Sequence, residues 1–359
     1  MKKNKVLNWL LASATALSLV GCSSKPKESE GGYELALITD VGTIDDKSFN
    51  QGSWEGLKKY ADDHDLSCKY YQPAEKSDEA CMSSIDLAVK GGAKVIVTPG
   101  FLFEYPIYEA QEKYPDVSFI IIDAAPMDGE GNAVINDNVS SLFYAEEQAG
   151  YLAGYAAVTE GYTQLGFMGG IAVPAVVRYG YGFIQGADAA AKELGISDVN
   201  VKYTYVGNFD ATPENNAKAA SWFNEGTEVI FACGGGVGNS VMKAAETADK
   251  KVIGVDVDQS SESETVITSA MKNLGDSVYN ELDAYYNGKF EGGKSITLTA
   301  AEGGIKLPME SSKFEKFTQQ KYDELYAKLK DGTITVQNDT AAEDASGLAT
   351  EIVKVEVIK

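Results

Sequence analysis

The sequence predicts an α/β protein with two doubly wound parallel-sheet lobes joined by a hinge. Continuous apolar runs, such as residues 95–98 and 117–122, alternate with helical segments, which is typical of parallel strands buried on both faces. This alternation occurs in two successive series of similar length. The roughly 330 residues that follow the N-terminal segment exceed what one small core supports, so two lobes are favoured over one.

The N-terminal residues predict export and lipid attachment. Residues 1–5 are basic, residues 6–20 form an apolar run too short to cross a bilayer, and Leu19-Val20-Gly21-Cys22 matches the lipobox of bacterial lipoproteins. We therefore expect a signal peptide over residues 1–21, lipidation of Cys22 and a flexible tether over residues 22–32. An ordinary signal peptide with an incidental Cys is the alternative. The mature chain would be extracytoplasmic and held at the cell membrane of a bacterium by its lipid, without a transmembrane helix.

The composition argues against a disordered chain and against a nucleic-acid-binding protein. Hydrophobic residues make up 44% of the chain, which excludes disorder. The net charge of −22 argues against nucleic acid as a partner, because phosphate binding needs a basic surface. If Cys22 is lipidated, Cys68, Cys81 and Cys233 remain, and this odd number favours buried free thiols over a Cys68–Cys81 disulfide.

The first series begins with a strand that passes through an acidic, Gly-containing turn into a helix ending near His64. Pro99-Gly100 ends the third strand, and Pro115 ends the third helix. The predicted strands are residues 35–38, 67–71, 95–98, 117–123 and 133–135, and the later helices are residues 78–91 and 104–114.

The second series begins with a helix whose small residues allow close packing. Thr212-Pro213 supplies a capping residue and a Pro at the first helical position. The predicted strands are residues 164–168, 199–206, 229–233 and 251–255, and the helices are residues 141–160, 177–194, 213–224 and a segment from Asn239.

Two-lobed folds pass the chain between lobes more than once, so we place returning segments in each lobe. The N-terminal lobe would comprise residues 33–138 and 260–292, and the C-terminal lobe residues 139–259 and 293–337. Residues 338–359 would form a loosely structured C-terminal tail. Further predicted elements are strands at residues 266–269, 333–336 and 352–358, and helices at residues 271–287 and 314–330.

Carboxylates recur where the predicted strands end. Asp40, Asp123 and Asp256 each follow or end a buried strand, and ligands of doubly wound domains bind beyond the carboxyl ends of the strands. Taken alone, each of these carboxylates is explained by helix capping or by an exposed charge in a loop. Three at equivalent positions predict a cleft that accepts hydrogen bonds from hydroxyl or N–H groups. The polar residues of the first turn would lie at the same cleft: Asp45, Asp46 and Asn50.

Two aromatic rings and a glycine run are further candidates. Phe49 and Phe209 have polar neighbours, so rings that line a cleft and clamp a flat heteroaromatic ligand are favoured over core residues. Gly234 and Gly236 belong to a Gly-rich turn, which would let backbone N–H groups approach a ligand or would simply be a tight turn. Lys272 would supply a hydrogen-bond donor to a ligand in the cleft, or would simply be a charged residue on the surface of a helix.

Catalytic chemistry has little support. His64 is the only histidine, it lies at an acidic helix end, and no His/Cys cluster has metal-ligand spacing. We expect no catalytic residue, no metal site and no cofactor.

The stretch Asp40-Val-Gly-Thr-Ile-Asp-Asp-Lys-Ser-Phe-Asn-Gln-Gly-Ser-Trp-Glu-Gly56 resembles the signature of the basic membrane protein family, surface lipoproteins that bind purine nucleosides for ABC-type uptake. The turn has Gly42-Thr43 where Gly-Gly is common in the family. The resemblance extends over residues 33–336 and implies a type I periplasmic-binding-protein fold. Weaker motifs occur in the family's order: Val97-Thr-Pro-Gly100, Ile122-Asp123, Glu146-Glu-Gln-Ala-Gly150, Gly166-Phe-Met-Gly-Gly170, Gly254-Val-Asp256 and Ser269-Ala-Met-Lys272.

The resemblance also implies roles for the candidate residues. Phe49 and Phe209 would sandwich the base. Its edge would face three carboxylates with a fourth close by: Asp40, Asp46 and Asp123, with Asp45 beside them. The ribose hydroxyls would be held by Asp256, Lys272 and a Gly of the 234–236 turn.

The sequence therefore predicts a monomeric, non-catalytic solute-binding lipoprotein. It would capture a purine nucleoside (guanosine, inosine or adenosine) and deliver it to an ABC permease in the membrane. A sugar or another small polar solute is the alternative ligand. A surface receptor without a transport role and an enzyme on the same scaffold are the alternative functions.

Overall fold

The computed structural model describes residues 32–40 and 42–358. The predicted signal peptide, the Cys22 lipidation site and nearly all of the predicted tether lie outside this range. Within it, every helix is too short or too polar to cross a membrane.

The first sheet is parallel throughout, with strand order β11-β5-β4-β3-β1-β2. The order reverses between β1 and β3, which places a topological switch point at the ends of these two strands. Its described strands are β1 (Leu35–Ile38), β2 (Cys68–Tyr71), β3 (Val95–Pro99), β4 (Ser118–Ile122), β5 (Val139–Tyr144) and β11 (Lys294–Leu298).

The second sheet has the order β12-β10-β9-β8-β6-β7-β13, with its switch point between β6 and β8. Only the pairing of β10 with the short β12 is antiparallel among its described ladders. Its strands are β6 (Gln164–Gly169), β7 (Val199–Tyr205), β8 (Val229–Cys233), β9 (Lys251–Asp256), β10 (Val266–Lys272), β12 (Ile305–Lys306) and β13 (Val353–Val357).

Helices cover the sheets, and each sheet with its helices is called a lobe below. The strands β1, β3 and β4 are almost wholly buried, which explains their continuous Val/Ile runs. The predicted cap at Thr212 is confirmed, because its side chain accepts from the backbone N–H of Asn215. The described helices are α1 (Phe49–Asp63), α2 (Asp78–Lys90), α3 (Glu104–Lys113), α4 (Glu146–Glu160), α5 (Pro174–Leu194), α6 (Pro213–Asn224), α7 (Gly236–Ala248), α8 (Leu274–Tyr286) and α9 (Gln319–Lys330).

The chain passes between the lobes three times within the described residues. It leaves the first sheet after β5, returns from β10 to α8, and crosses again between β11 and β12. The helix α8 packs against α1 of the first lobe, where the rings of Tyr60 and Tyr279 meet edge to face at 5.0 Å. The α/β architecture with parallel sheets predicted from the sequence is confirmed.

Three strands belong to a different lobe from the one to which the predicted lobe boundaries assigned them. The strand β5 was predicted as the start of a helix at residues 141–160, and both β5 and β11 join the first sheet. The strand β10 joins the second sheet, so its placement in the first lobe was wrong. The apolar pattern of a strand indicates that the strand is buried, but it does not indicate which strand lies beside it in a sheet. The misplaced strands are therefore those next to the points where the chain passes from one lobe to the other.

Two further predicted strands are absent at the positions given. Around residues 133–135 there is only an isolated bridge between Met127 and Ala133. Residues 333–336 follow a turn at Gly332 and pair with none of the described strands. The strand predicted at residues 352–358 is confirmed as β13, which extends the second sheet beside β7. The tail is thus packed onto the second lobe rather than loosely structured.

Glycines set the distance between α4 and α5, the central helix pair of the second lobe. A Cβ added at any of them would collide with a backbone oxygen of the facing helix, so the backbones lie in direct contact. These residues are Gly150, Gly154, Gly182 and Gly186.

We predict that Gly154→Ala destabilises the fold. The added Cβ would collide with the carbonyl oxygen of Phe183 and push the helices apart, which outweighs the better helix propensity of Ala. The free energy of unfolding in urea should fall by about 2 kcal/mol. Gly129→Ala is the matched control, because a Cβ there meets nothing within 4 Å. Equal stability of the two variants would contradict the packing argument.

Candidate functional site

A cavity of about 230 Å³ lies where strands of both sheets end. It contains residues that follow β1 and β3 at one switch point, and residues that follow β8 at the other. The predicted ligand-binding residues that line it are Asp40, Asp46, Phe49, Asn50, Asp123, Phe209, Gly234, Gly236, Asp256 and Lys272.

Asp45 is the predicted residue that the structure does not bring to the cavity. It is exposed and lies on the outer surface beside Ile44. Asp46, in the turn between β1 and α1, and Asn50, in the first turn of α1, line the cavity, whereas Asp45 is exposed to solvent.

Asp46 orders the first turn of α1. Its Oδ1 accepts the backbone N–H groups of Ser48 at 2.9 Å and Gln51 at 3.1 Å. Its Oδ2 accepts the backbone N–H and the side-chain amide of Asn50, both at 2.9 Å. A carboxylate offers about four acceptor positions, so those of Asp46 are already used by the protein.

Asp40, by contrast, keeps a free oxygen in the cavity. Its Oδ1 accepts from the backbone N–H of Gly42 and from the Asn50 amide, both at 2.7 Å. Its Oδ2 accepts no hydrogen bond from the described residues, and it lies beside Gly100 at the end of β3. Burial raises the pKa of Asp40 to about 6, against the opposing effect of its two hydrogen bonds.

The strand-end carboxylates Asp123 and Asp256 share an unusual backbone conformation. Their φ angles are 59° and 66°, in the left-handed region that non-Gly residues seldom adopt. Asp256 Oδ2 accepts from the Ser48 hydroxyl of the other lobe at 2.5 Å. Asp123 Oδ1 is buried and has no hydrogen-bond partner among the described residues.

Lys272, at the end of β10, lies among three carboxylates. Its Nζ forms an ion pair with Asp123 of the first lobe, and it lies 3.2 Å from Glu146 Oε1 and 3.8 Å from Asp256 Oδ1. The side chain is 3% exposed. Desolvation opposes its charge, but the carboxylates raise the pKa of Lys272 and keep it cationic. Burial raises the pKa of Asp123 and of Asp256, with the Lys272 ammonium opposing the shift in both.

Each lobe contributes one of the predicted aromatic rings. Lys272 Nζ lies 4.8 Å from the centre of the Phe49 ring, a cation–π distance. On the other lobe, the Phe209 ring rests against the backbone of Gly170 and Gly234, where a Cβ on either glycine would press into the ring. The backbone N–H of Gly236 donates to the Phe209 carbonyl at 3.0 Å, which ties the Gly-rich turn to the loop that carries the ring.

Several residues of the site were missed from the sequence. Glu146 begins α4, but the wrong helix boundary placed it inside a helix rather than at its first turn. Tyr179 lines the cavity from α5, and its buried hydroxyl has no hydrogen-bond partner among the described residues. A Tyr on an amphipathic helix is indistinguishable from a core residue by periodicity. The first turn of α5 also lines the cavity, at Val173, Pro174, Ala175 and Val176.

The remaining reactive side chains lie apart from the cavity or are inert. The His64 ring is exposed and stacks on Tyr60 at 4.2 Å. The structure shows Cys68, Cys81 and Cys233 as free thiols, and burial raises the pKa of Cys233 well above its ordinary value. Across residues 32–40 and 42–358, no group of three His, Cys, Asp or Glu side chains is placed to hold a metal ion.

Comparisons with known proteins agree with this architecture. Residues 33–340 match the family described as "ABC transporter substrate-binding protein PnrA-like". The chain is 30% identical to the "ABC transporter nucleoside-binding protein BmpA" of Lactococcus lactis subsp. cremoris, over 88% of this chain and 94% of the relative. It is 27% identical to "Basic membrane protein D" of Borreliella burgdorferi, over 91% of this chain and 94% of the relative.

A solved structure shows the same fold. An ABC transporter solute-binding protein from Aeropyrum pernix K1 superposes with a TM-score of 0.73 at 22% identity, covering 86% of this chain and 95% of that chain. The family match over most of the chain, together with this fold, identifies the chain as a member of the PnrA-like family of ABC transporter substrate-binding proteins.

Proposed function

We propose that this protein is a non-catalytic binding protein which captures a purine nucleoside between its lobes and delivers it to an ABC permease. The observation that carries the proposal is the content of one cavity: a phenyl ring from each lobe together with carboxylate oxygens that the protein leaves unpaired. A flat base with N–H donors on its edge is complementary to both features.

The base would stack on Phe49 and Phe209. Its N–H groups would donate to Asp40 Oδ2 and Asp123 Oδ1, the two oxygens without partners described above. Asp46 would act indirectly, by holding Asn50 and the turn. This arrangement suits the N1–H of guanosine or inosine and the exocyclic amine of guanosine or adenosine.

The ribose would lie toward Asp256, Lys272 and the Gly234–Gly236 turn. A carboxylate and an ammonium 3.8 Å apart offer an acceptor and a donor to vicinal hydroxyl groups. The name of the Lactococcus relative supports a nucleoside as the ligand class. We further propose that the protein acts as a monomer and that it is anchored through lipid on Cys22; the lipobox in the sequence supports the lipid anchor.

A thermal-shift panel tests the ligand class. Guanosine, inosine and adenosine should raise the melting temperature, because a ligand at about 100 times its Kd adds about 2.7 kcal/mol to the free energy of unfolding. Free bases, pentoses and amino acids serve as controls and should have smaller effects. Stabilisation by pentoses alone would reject the nucleoside and support the sugar alternative.

Phe209→Ala should weaken nucleoside binding. Stacking of a base on an aromatic side chain contributes about 1–3 kcal/mol, so the Kd measured by calorimetry should rise roughly 5- to 150-fold. Phe314→Ala is the matched control, since Phe314 is a half-buried ring that packs edge to face on Phe317 and does not line the cavity. An unchanged Kd in Phe209→Ala would remove this ring from the site.

Affinity should fall as the pH is lowered through the pKa of Asp40. The ligand N–H needs the ionised carboxylate as its acceptor, and this form is lost below about pH 6. Calorimetry from about pH 8 to about pH 5 should show a decline of at most about tenfold in affinity per pH unit for each carboxylate that must ionise. Asp40→Asn should bind more weakly and show a flatter profile. A wild-type profile that is flat over this range would contradict the role of Asp40.

A further inference from the structure

A second largely buried cation, Arg178, lies behind the cavity rather than in its lining. It belongs to α5, the helix whose first turn and Tyr179 line the cavity. The Arg178 side chain is 13% exposed, and its Nε donates to Glu146 Oε2 at 2.6 Å. The other oxygen of Glu146 lies 3.2 Å from Lys272 Nζ. One fully buried carboxylate therefore bridges Arg178 and the ligand-facing Lys272.

The far side of Arg178 meets the C-terminal segment, defined here as residues 337–348. Arg178 Nη1 lies 3.4 Å from Asp339 Oδ1 of this segment. The segment is fixed along α5, because the Gln185 amide exchanges hydrogen bonds with the backbone of Gln337 at 2.8 and 2.9 Å. The Tyr181 hydroxyl also donates to the Ala342 carbonyl at 3.1 Å. The chain of contacts runs from the C-terminal segment through Arg178 and Glu146 to Lys272.

The charges around Glu146 explain why this chain of contacts matters. Glu146 faces Lys272 from β10 and Arg178 from α5. The other titratable groups that interact with it include Asp123, Tyr144, Glu147, Tyr179, Cys233 and Asp256. With Arg178 present, Glu146 shares its charge between two cations, and Lys272 stays within reach of Asp123 and Asp256. Without Arg178, a buried carboxylate would lose half of its compensation and draw the ammonium of Lys272 toward itself.

We propose that Arg178, held by the C-terminal segment, is a positioning residue for Lys272 that acts through Glu146. The inference rests on the proposed function, in which Lys272 holds the ribose. Arg178 touches no ligand in this arrangement. Arg178 affects the affinity for the ligand because it determines the position of the Lys272 ammonium group.

Binding by variants of the full chain tests the proposal. Arg178→Met should weaken guanosine binding roughly tenfold, although the residue does not line the cavity. Adding Glu146→Gln to Arg178→Met should restore most of the affinity, because the uncompensated carboxylate is then gone. Asp339→Asn should have a smaller effect in the same direction. Lys192→Met is the matched control, since Lys192 lies on the same helix in an exposed ion pair and should bind as the wild type does.

A ligand-free measurement separates this role from simple packing. Burial raises the pKa of Glu146, and the cations Lys272 and Arg178 lower it, so removal of Arg178 should raise that pKa. The loss of stability in Arg178→Met should then be greatest near about pH 7 and shrink as the pH falls toward the ordinary Glu range of about 4. In the double variant with Glu146→Gln, the loss relative to the wild type should depend much less on pH.

The outcomes are distinguishable. If the wild-type protein binds no purine nucleoside, the proposed function is overturned, together with the ribose role of Lys272. If the wild type binds but Arg178→Met binds equally well, the positioning role alone is overturned. A loss of affinity that Glu146→Gln does not relieve, or a pH-independent loss of stability, would show that Arg178 acts only by filling space.

Discussion

The site depends on one buried ammonium group. Lys272 Nζ is removed from solvent, and such a charge is tolerated only among compensating carboxylates. Those carboxylates come from three places: Asp123 after β4, Glu146 at the start of α4 and Asp256 at the end of β9. Because these elements belong to both lobes, the contacts that neutralise the Lys272 charge also hold the two lobes together.

The polar residues of the site divide into those that hold its shape and those that remain free. The side chains of Asp46 and Asn50 form hydrogen bonds with each other and with the backbone around the start of α1. Asp123 and Asp256 instead stand in a left-handed conformation that costs free energy, and such strain is characteristic of functional positions. Asp40 Oδ2 and Asp123 Oδ1, by contrast, have no hydrogen-bond partner among the described residues, and unpaired acceptors of this kind are expected where a ligand completes the hydrogen bonding.

The sequence was sufficient for the parts of the site that follow local rules. The carboxyl ends of parallel strands meet at one edge, so Asp40, Asp123 and Asp256 could be brought together without knowing the strand order. The strands next to the crossings could not be placed, because the burial of β5 or β10 does not reveal which sheet it joins. The error in β5 also concealed Glu146. A buried ion pair between Glu146 and Arg178, 32 residues apart, leaves no periodic signal.

The order in which the chain enters each sheet constrains how the protein can fold. The first sheet ends in β11, which lies on its edge but comes from residues 294–298, and the second sheet ends in β13 from residues 353–357. Neither sheet is complete until most or all of the chain is available. Such non-local pairing slows folding and leaves the edges of β5 and β7 open in the meantime. The chain is therefore exposed to aggregation at these open edges until β11 and β13 have paired with them.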